Sequence, residues 1–464
     1  MDTSEFARRF LSNLSFDPTG QQTSLLAALA RFCTLPERAE SVFILNGYAG
    51  TGKTSVVGAL VRTLRDAGAP TVLLAPTGRA AKVFSAAAGV PAWTIHRRIY
   101  RMPAPGIEGA WQTLNVNRVP SAVFIVDEAS MIGSRESESA GSLLHDLLEY
   151  VFTGAPGCRL IFVGDTAQLP PVGCAESPAM DPAVMHRMGI RVSRAVITQT
   201  VRQGATSGIL LNATHIRRLI SGSGDLAPSF RLTSDVRAIA GCDLIDELSS
   251  AYARDGVDAT ILITRSNRMA TAANRAIRSG VFCSEEELVR GERLLIAKNN
   301  YLWSEPVREL DFIANGDIAT VAAIHSVEMM HGFRFADVTL HFPDRDVDVE
   351  CKVMLDTLAS DSASLEPDRL ASLWLARANA LGSENPRVLR RDPWCNALQV
   401  KYAYAVTCHK AQGGQWRNVF VDTSMLLAPA DGSSPLELYR WLYTAFTRAT
   451  RSLWLVNAPE ESIR

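Results

Sequence analysis

The run Val42-Phe43-Ile44-Leu45-Asn46-Gly47-Tyr48-Ala49-Gly50-Thr51-Gly52-Lys53-Thr54-Ser55 leaves a chain few folds to choose from. An unbroken apolar stretch without polar alternation describes a strand buried on both faces, as in a parallel sheet covered by helices on either side. Gly47, Gly50 and Gly52 then permit a tight turn into a helix that opens at Lys53-Thr54. Such a turn aims backbone N–H groups and the positive end of a helix dipole at one point, which is the chemistry of a phosphate cradle. The Lys53 ammonium reaches the outer oxygens and the Thr54 hydroxyl can complete the shell of Mg²⁺, with Thr51 and Ser55 in the same cradle. The pattern predicts binding of a nucleoside triphosphate with Mg²⁺; a Gly-rich turn with a surface lysine is the bland alternative.

At 464 residues the chain has room for about three domains. Its 47 basic and 48 acidic side chains leave a formal net charge of −1, so any path for nucleic acid must be local. No apolar run approaches the roughly 20 residues that span a bilayer, and MDTSEFARRF lacks the apolar core of a secretory signal. A cytoplasmic protein without membrane association is expected. The cysteines, at 33, 158, 174, 242, 283, 351, 395 and 408, form no CxxC pair, which reads as reduced structural thiols.

Upstream of the loop, a helix is expected from about Gln21 to Phe32. Gln22, or Gln21 beside it, could pair both amide edges with adenine; a solvent-facing glutamine is the other reading. Downstream, three further buried strands end in polar residues, where doubly wound sheets hold ligands. Thr71-Val72-Leu73-Leu74 leads to Pro76-Thr77-Gly78-Arg79-Ala80-Ala81-Lys82, a phosphate contact or an ordinary helix cap. Val123-Phe124-Ile125-Val126 delivers Asp127-Glu128, one carboxylate for Mg²⁺ and one to activate water. Arg159-Leu160-Ile161-Phe162-Val163 leads to Gln168, suited to sensing a terminal phosphate. Between these, residues 97–120 predict a two-stranded excursion with Tyr100 and Trp111 on either side of its turn. Arg202 closes this part of the chain and offers a guanidinium fork.

A second α/β sheet without a phosphate loop is expected from Thr260–Ile263, Tyr402–Val406, Val419–Val421 and Leu453–Val456. Residues 290–395 interrupt it: Val338, Leu340 and Phe342, then Val347, Val349 and Val353, alternate with polar neighbours, as in a small antiparallel barrel. A helix up to Gly382 completes the insert. Thr407-Cys408-His409-Lys410 follows a buried strand of the second sheet, and in Leu442–Ala449 helical spacing sets Tyr443 and Thr447 on one side and swings Arg448 away from the apolar stripe.

The segments GYAGTGKTS, APTGRAAKV, TIHRRIY, IVDEASMI, VGDTAQLPPVG, Arg202-Gln203, TCHKAQGGQ and LYTAFTRA, in this order, resemble superfamily 1 DNA helicases and within them the RecD/Dda group, which moves 5′ to 3′. The resemblance spans nearly the whole chain. It implies an α/β fold of two RecA-like domains with ATP in the cleft between them: residues 1–205, and residues 206–289 with 396–464. It also implies a strand-separating pin at 97–120 and an SH3-like barrel at 290–395. Lys53 and Thr54 fall to phosphates and metal, Asp127 to the metal, Glu128 to water, Gln168, Arg202 and Arg448 to the outermost phosphate, and Gln22 to adenine. Single-stranded DNA falls to Pro76, Thr77, His96, Thr264, Asn267, Thr407 and His409, with Tyr100 and Trp111 on the pin. Gln415 departs from the family's pattern, where an acid or hydroxyl residue stands. The implied protein is a monomeric stand-alone motor acting on single strands and junctions, with single-strand-binding or replication proteins as partners. A translocase that strips proteins from DNA and a small-molecule phosphotransferase are the rival readings.

Overall fold

The computed structural model describes residues 2–34, 40–101, 113–133, 142–199, 207–222, 227–307, 309–310, 312–426 and 434–464. Trp111, Arg202 and Gln203 lie outside the described residues. The chain forms two compact units.

The first unit contains α1 (Thr3–Ser12), α2 (Gly20–Thr34), β1 (Ser41–Gly47), α3 (Lys53–Asp66), β2 (Thr71–Ala75), α4 (Gly78–Ala88), β3 (Ala92–Thr94), α5 (Ile95–Ile99), β4 (Tyr100–Arg101), β5 (Thr113–Leu114), β6 (Val123–Val126), α6 (Leu143–Thr153), β7 (Arg159–Gly164), α7 (Pro182–Arg187), β8 (Arg191–Ile197) and α8 (Gly208–Ser221), joined by Pro435–Thr444. Its main sheet has the order β3-β2-β6-β7-β1-β8, with every pairing parallel. Alternate side chains of each central strand enter two different cores. Val42, Ile44, Phe124, Val126, Leu160 and Phe162 pack with α5 and α6, while Phe43, Leu45, Val123, Ile125, Ile161 and Val163 pack with α1, α2 and α3. Both faces are therefore dry, and this is why these strands read as continuous apolar runs. A fully buried Phe such as Phe124 contributes on the order of 1.5–3 kcal/mol by burial alone, so these strands hold their carboxyl-end loops on a stiff platform.

Of the expected excursion at 97–120, the described residues include the short antiparallel pair β4 and β5, with Tyr100 opposite Leu114 and Arg101 opposite Thr113. β8 was not expected; it is an edge strand whose Arg191, Ser193 and Arg194 are exposed, so it carries no apolar run. The expected first domain ended at 205, whereas α8 and Pro435–Thr444 both group with this unit.

The second unit contains β9 (Val236–Ile239), α9 (Leu244–Asp255), β10 (Thr260–Thr264), α10 (Asn267–Gly280), β11 (Arg293–Ile296), β12 (Ile318–Met330), β13 (Phe333–Phe342), β14 (Val347–Met354), α11 (Pro367–Leu381), α12 (Pro386–Leu389), β15 (Leu398–Tyr402), β16 (Ala405–Thr407), α13 (Cys408–Ala411), β17 (Trp416–Asp422) and β18 (Ala449–Val456). A helix, α14 (Pro435–Phe446), precedes β18. The parallel sheet β16-β10-β17-β18-β9 accompanies a closed barrel, β11-β12-β13-β14-β15. One core serves both, because Leu262, Ile277, Phe420 and Trp454 of the sheet layer cluster with Leu294, Val338 and Val400 of the barrel. Two expectations are corrected here. The run Tyr402–Val406 is not one strand: Tyr402 ends β15 in the barrel, and only Ala405 onwards joins the sheet. The barrel consequently closes beyond residue 395, through the pairing of β15 with β11 and β14.

Candidate functional site: the phosphate cradle

The carboxyl ends of β1, β2, β6 and β7 bring the polar segments to one edge of the first sheet. Gly50 and Gly52 adopt φ of 77° and 82°, values an L side chain rarely takes. A Cβ on Gly47 would come within 2.7 Å of Ile197 Cγ1 and 2.8 Å of Lys53 Cγ, so only glycine fits beneath the lysine stem. Helix α3 then begins with Gly52 as its N-cap and no side chain capping it, which leaves its first N–H groups facing the loop. Thr54 and Ser55 are exposed in its first turn, and Thr51 is buried with its hydroxyl on the Tyr48 carbonyl at 2.8 Å. Lys53 Nζ donates to the Gly47 and Tyr48 carbonyls and lies 3.9 Å from Asp165 Oδ2.

Asp165 was quoted in the sequence only as a neighbour of Gln168, yet it is central. β7 pairs with β1 so that Asn46 faces Gly164, which sets Asp165 beside Gly47. The Asn46 amide brackets the next residue, donating to Thr166 Oγ1 at 2.8 Å and accepting from Thr166 N at 3.2 Å. Asp165 is buried; its Oδ1 accepts from Ala167 N at 3.0 Å and its Oδ2 accepts from the Tyr443 hydroxyl at 2.7 Å. The Tyr443 hydroxyl in turn accepts from Ala49 N in the cradle at 2.8 Å. Burial, and then the Asp165 charge, hold the Tyr443 phenol well above its ordinary value, so it stays a donor.

Asp127 and Glu128 follow β6. Glu128 takes φ 52°, and its N–H donates to Asp127 Oδ1 at 2.9 Å. Burial, reinforced by the Glu128 charge, pushes the Asp127 carboxyl up to about 7, while the Glu128 amide and Lys53 pull it down. Gln168 is buried, and its Oε1 has no hydrogen-bond partner. An unpartnered buried amide, an uncapped helix start and a carboxylate raised by desolvation are all relieved by a polyanion with a divalent cation. The residues present therefore fit Mg²⁺ and a nucleoside triphosphate.

The remaining expected residues are distributed as follows. Gln22 is buried, not solvent-facing: its Oε1 accepts from Thr19 N at 2.9 Å and its Nε2 donates to the Thr51 carbonyl at 3.0 Å. Gln21 instead accepts from Thr198 N and Gln199 N, at 2.8 and 3.0 Å. Thr77 caps α4 through Ala80 N at 3.2 Å, beside half-buried Pro76. His96 lies in α5 with its ring 5.7 Å from that of Tyr100, and the Tyr100 hydroxyl is held by Asp146 Oδ2 at 2.7 Å.

In the second unit, Asn267 and Thr407 line a narrow groove with Thr271, Lys401 and Lys410. Burial lowers both lysines to about 8. His409 is exposed. Thr264, expected at the single strand, is 1% exposed, and its hydroxyl proton is shared between the Ser266 and Val406 carbonyls. α14 ends at Phe446, and the Arg448 side chain is 4% exposed, with NH1 on the Gly414 carbonyl at 3.2 Å. Sequence reasoning missed Asp165 and also Arg217, whose guanidinium lies 4.5 Å from the Tyr48 ring centre.

A phosphate loop and paired acids at one edge of a parallel sheet define the class of P-loop nucleotide hydrolases. Residues 23–221 match the AAA domain family, and residues 402–456 match the UvrD-like helicase C-terminal domain. The ATP-dependent RecD2 DNA helicase of Deinococcus radiodurans is 35% identical over 129 residues, covering 28% of this chain and 16% of that protein. The ATP-dependent DNA helicase dda of Enterobacteria phage T4 is 24% identical over 446 residues, covering 89% of this chain and 93% of its own. The RecBCD enzyme subunit RecD of Mycolicibacterium smegmatis is 30% identical over 197 residues, 38% of this chain and 33% of that one. The matched region thus spans a minor part of RecD2 and RecD but nearly all of Dda. In fold, the chain resembles the Bacteroides Pif1 helicase in complex with ADP-AlF3 and ssDNA, with TM-score 0.51, 16% identity, and coverage of 97% of this chain and 95% of that one. Taken together, these matches make the chain similar to the superfamily 1 helicases of the RecD/Dda type.

Proposed function

We propose that this chain is an ATP-driven motor that moves 5′ to 3′ along single-stranded DNA and separates duplex at a junction. The observation that carries the reading is the meeting of Lys53, Asp165 and the uncapped start of α3 at one sheet edge, in a chain colinear with a phage DNA helicase over nearly its whole length. When bound, Mg²⁺-ATP supplies the phosphoanhydride whose cleavage drives the cycle. Lys53 leaves the Gly47 and Tyr48 carbonyls for the outer phosphate oxygens, and Gly47, Gly50, Thr51 and Ser55 frame the cradle. Asp127 and Thr54 would hold Mg²⁺, which would draw charge from the phosphate oxygens, and Glu128 would take the proton of the attacking water. Gln168, Arg202 and Arg448 meet the charge on the outermost phosphate, and Gln22, or Gln21 beside it, reads the base.

The strand is gripped through backbone phosphates by Pro76, Thr77 and His96 in the first domain and by Asn267, Thr407 and His409 in the second, with Thr264 setting the loop that follows β10. The β4–β5 pair, braced to α6 through Tyr100 and Asp146, serves as the pin, and the five-stranded barrel as the SH3-like subdomain. The active species is a monomer. Unwinding of 5′-tailed against 3′-tailed duplexes with ATP tests the reading: activity confined to the 5′-tailed substrate supports it, and activity confined to the other reverses the polarity. A phosphotransferase would ignore DNA altogether. A protein-stripping translocase would hydrolyse ATP on single strands and leave both duplexes intact.

A further inference from the structure

The Tyr443 hydroxyl is bonded on both sides. It accepts from Ala49 N, an amide of the cradle, at 2.8 Å, and donates to Asp165 Oδ2 at 2.7 Å. That same carboxylate oxygen is 3.9 Å from Lys53 Nζ. A phenol has one proton to give, so both polar tasks fall to a single group. Tyr443 is 1% exposed and Asp165 1%, which removes water as a substitute partner for either. The neighbouring contacts make this a docked helix face: Thr444 Oγ1 accepts from Leu169 N at 2.8 Å, and Arg440 NH1 donates to the Ala175 carbonyl at 2.6 Å. α14 continues to Phe446, and the chain from Ala445 onwards, Arg448 included, belongs to the second unit.

We propose that Tyr443 is a positioning residue that links the state of the phosphate cradle to the seating of α14. The proposal rests on the reading of the Lys53 loop as a nucleotide site. Lys53 lies beside Asp165, and Tyr443 ties Ala49 N to the same carboxylate. A phosphate that takes up Ala49 N competes with the Tyr443 hydroxyl for that amide, so the hold on Tyr443, and through it on α14, loosens with nucleotide. Linkage then requires the reverse: whatever moves α14 changes the affinity of the cradle.

The test uses the full chain with Tyr443→Phe, which keeps the buried ring and removes only the hydroxyl. Binding of a fluorescent ADP analogue should tighten about three- to tenfold, because the hydroxyl no longer competes with phosphate for Ala49 N. The turnover stimulated by single-stranded DNA should fall about tenfold or more, with KM for ATP falling alongside it. A merely structural lesion would raise KM as it lowered kcat. Weaker nucleotide binding, or stimulated turnover equal to wild type, overturns the proposal. Should Tyr443→Phe fail to fold, Asp165→Asn keeps the shape, weakens the grip that orients the Tyr443 hydroxyl and must move binding and stimulated turnover in the same directions by a smaller factor. Lys53→Ala is run in parallel: loss of binding there with a wild-type Tyr443→Phe defeats the linkage alone, and wild-type binding by Lys53→Ala defeats the nucleotide site itself.

Discussion

The two parallel sheets leave their central strands in different ways. At the end of β1 the chain enters α3 through Gly50 and Gly52, at φ 77° and 82°, and no side chain caps the helix. At the end of β10 it enters α10 through Ser266, whose hydroxyl accepts from Met269 N at 3.2 Å. A serine cap satisfies a helix amide locally and stabilises by about 1 kcal/mol. Leaving the cap out costs that stability and keeps the amides for an anion. The scaffold is shared; the chemistry lies in which exit is closed by a side chain.

The sharpest way to break this contrast lies at the acids of the first sheet. Glu128→Gln should lower kcat for ATP hydrolysis by about 10²- to 10⁴-fold while the fluorescent ADP analogue still binds. Equal loss of both would make Glu128 a structural acid. The next effect concerns Mg²⁺. With the Asp127 carboxyl at about 7, a proton competes with the metal below that pH and not above it. The Mg²⁺ concentration needed for half-maximal nucleotide binding should therefore stay flat from pH 8 to 7 and rise towards tenfold per unit below 7. A flat profile down to pH 6 would remove Asp127 from the metal. The smallest effect belongs to the second exit: Ser266→Ala should cost about 1 kcal/mol in denaturant unfolding and leave nucleotide affinity untouched. A shift in nucleotide affinity would show that the second exit is no ordinary cap.

Much of this was legible in the sequence because the informative signals were local. Parallel strands buried on both faces write themselves as apolar runs, so β1, β2, β6 and β7 and the residues at their ends could be found. The α11 stop at Gly382, in the left-handed region at φ 60°, was equally readable. Non-local pairings were not. Tyr443 and Asp165 meet across 278 positions, and no periodicity predicts which helix face docks on which loop. Likewise the run from Leu398 to Thr407 offers apolar residues to both a barrel and a sheet, and only the pairing of β15 with β11 divides it at Tyr402. Gln22 shows a third kind of opacity: a glutamine in a helix pattern reads as exposed or base-reading, yet here its amide joins α2 to the cradle through the Thr51 carbonyl.

The central claim is that the uncapped, lysine-bearing exit of β1 hydrolyses ATP in response to DNA. The direct measurement is steady-state ATP turnover of the wild-type chain and of Lys53→Ala, each with and without single-stranded DNA. The account predicts wild-type turnover raised about tenfold or more by DNA and a Lys53→Ala variant inactive in both conditions. Wild-type turnover indifferent to DNA, or a Lys53→Ala variant that still hydrolyses ATP at the wild-type rate, would contradict it.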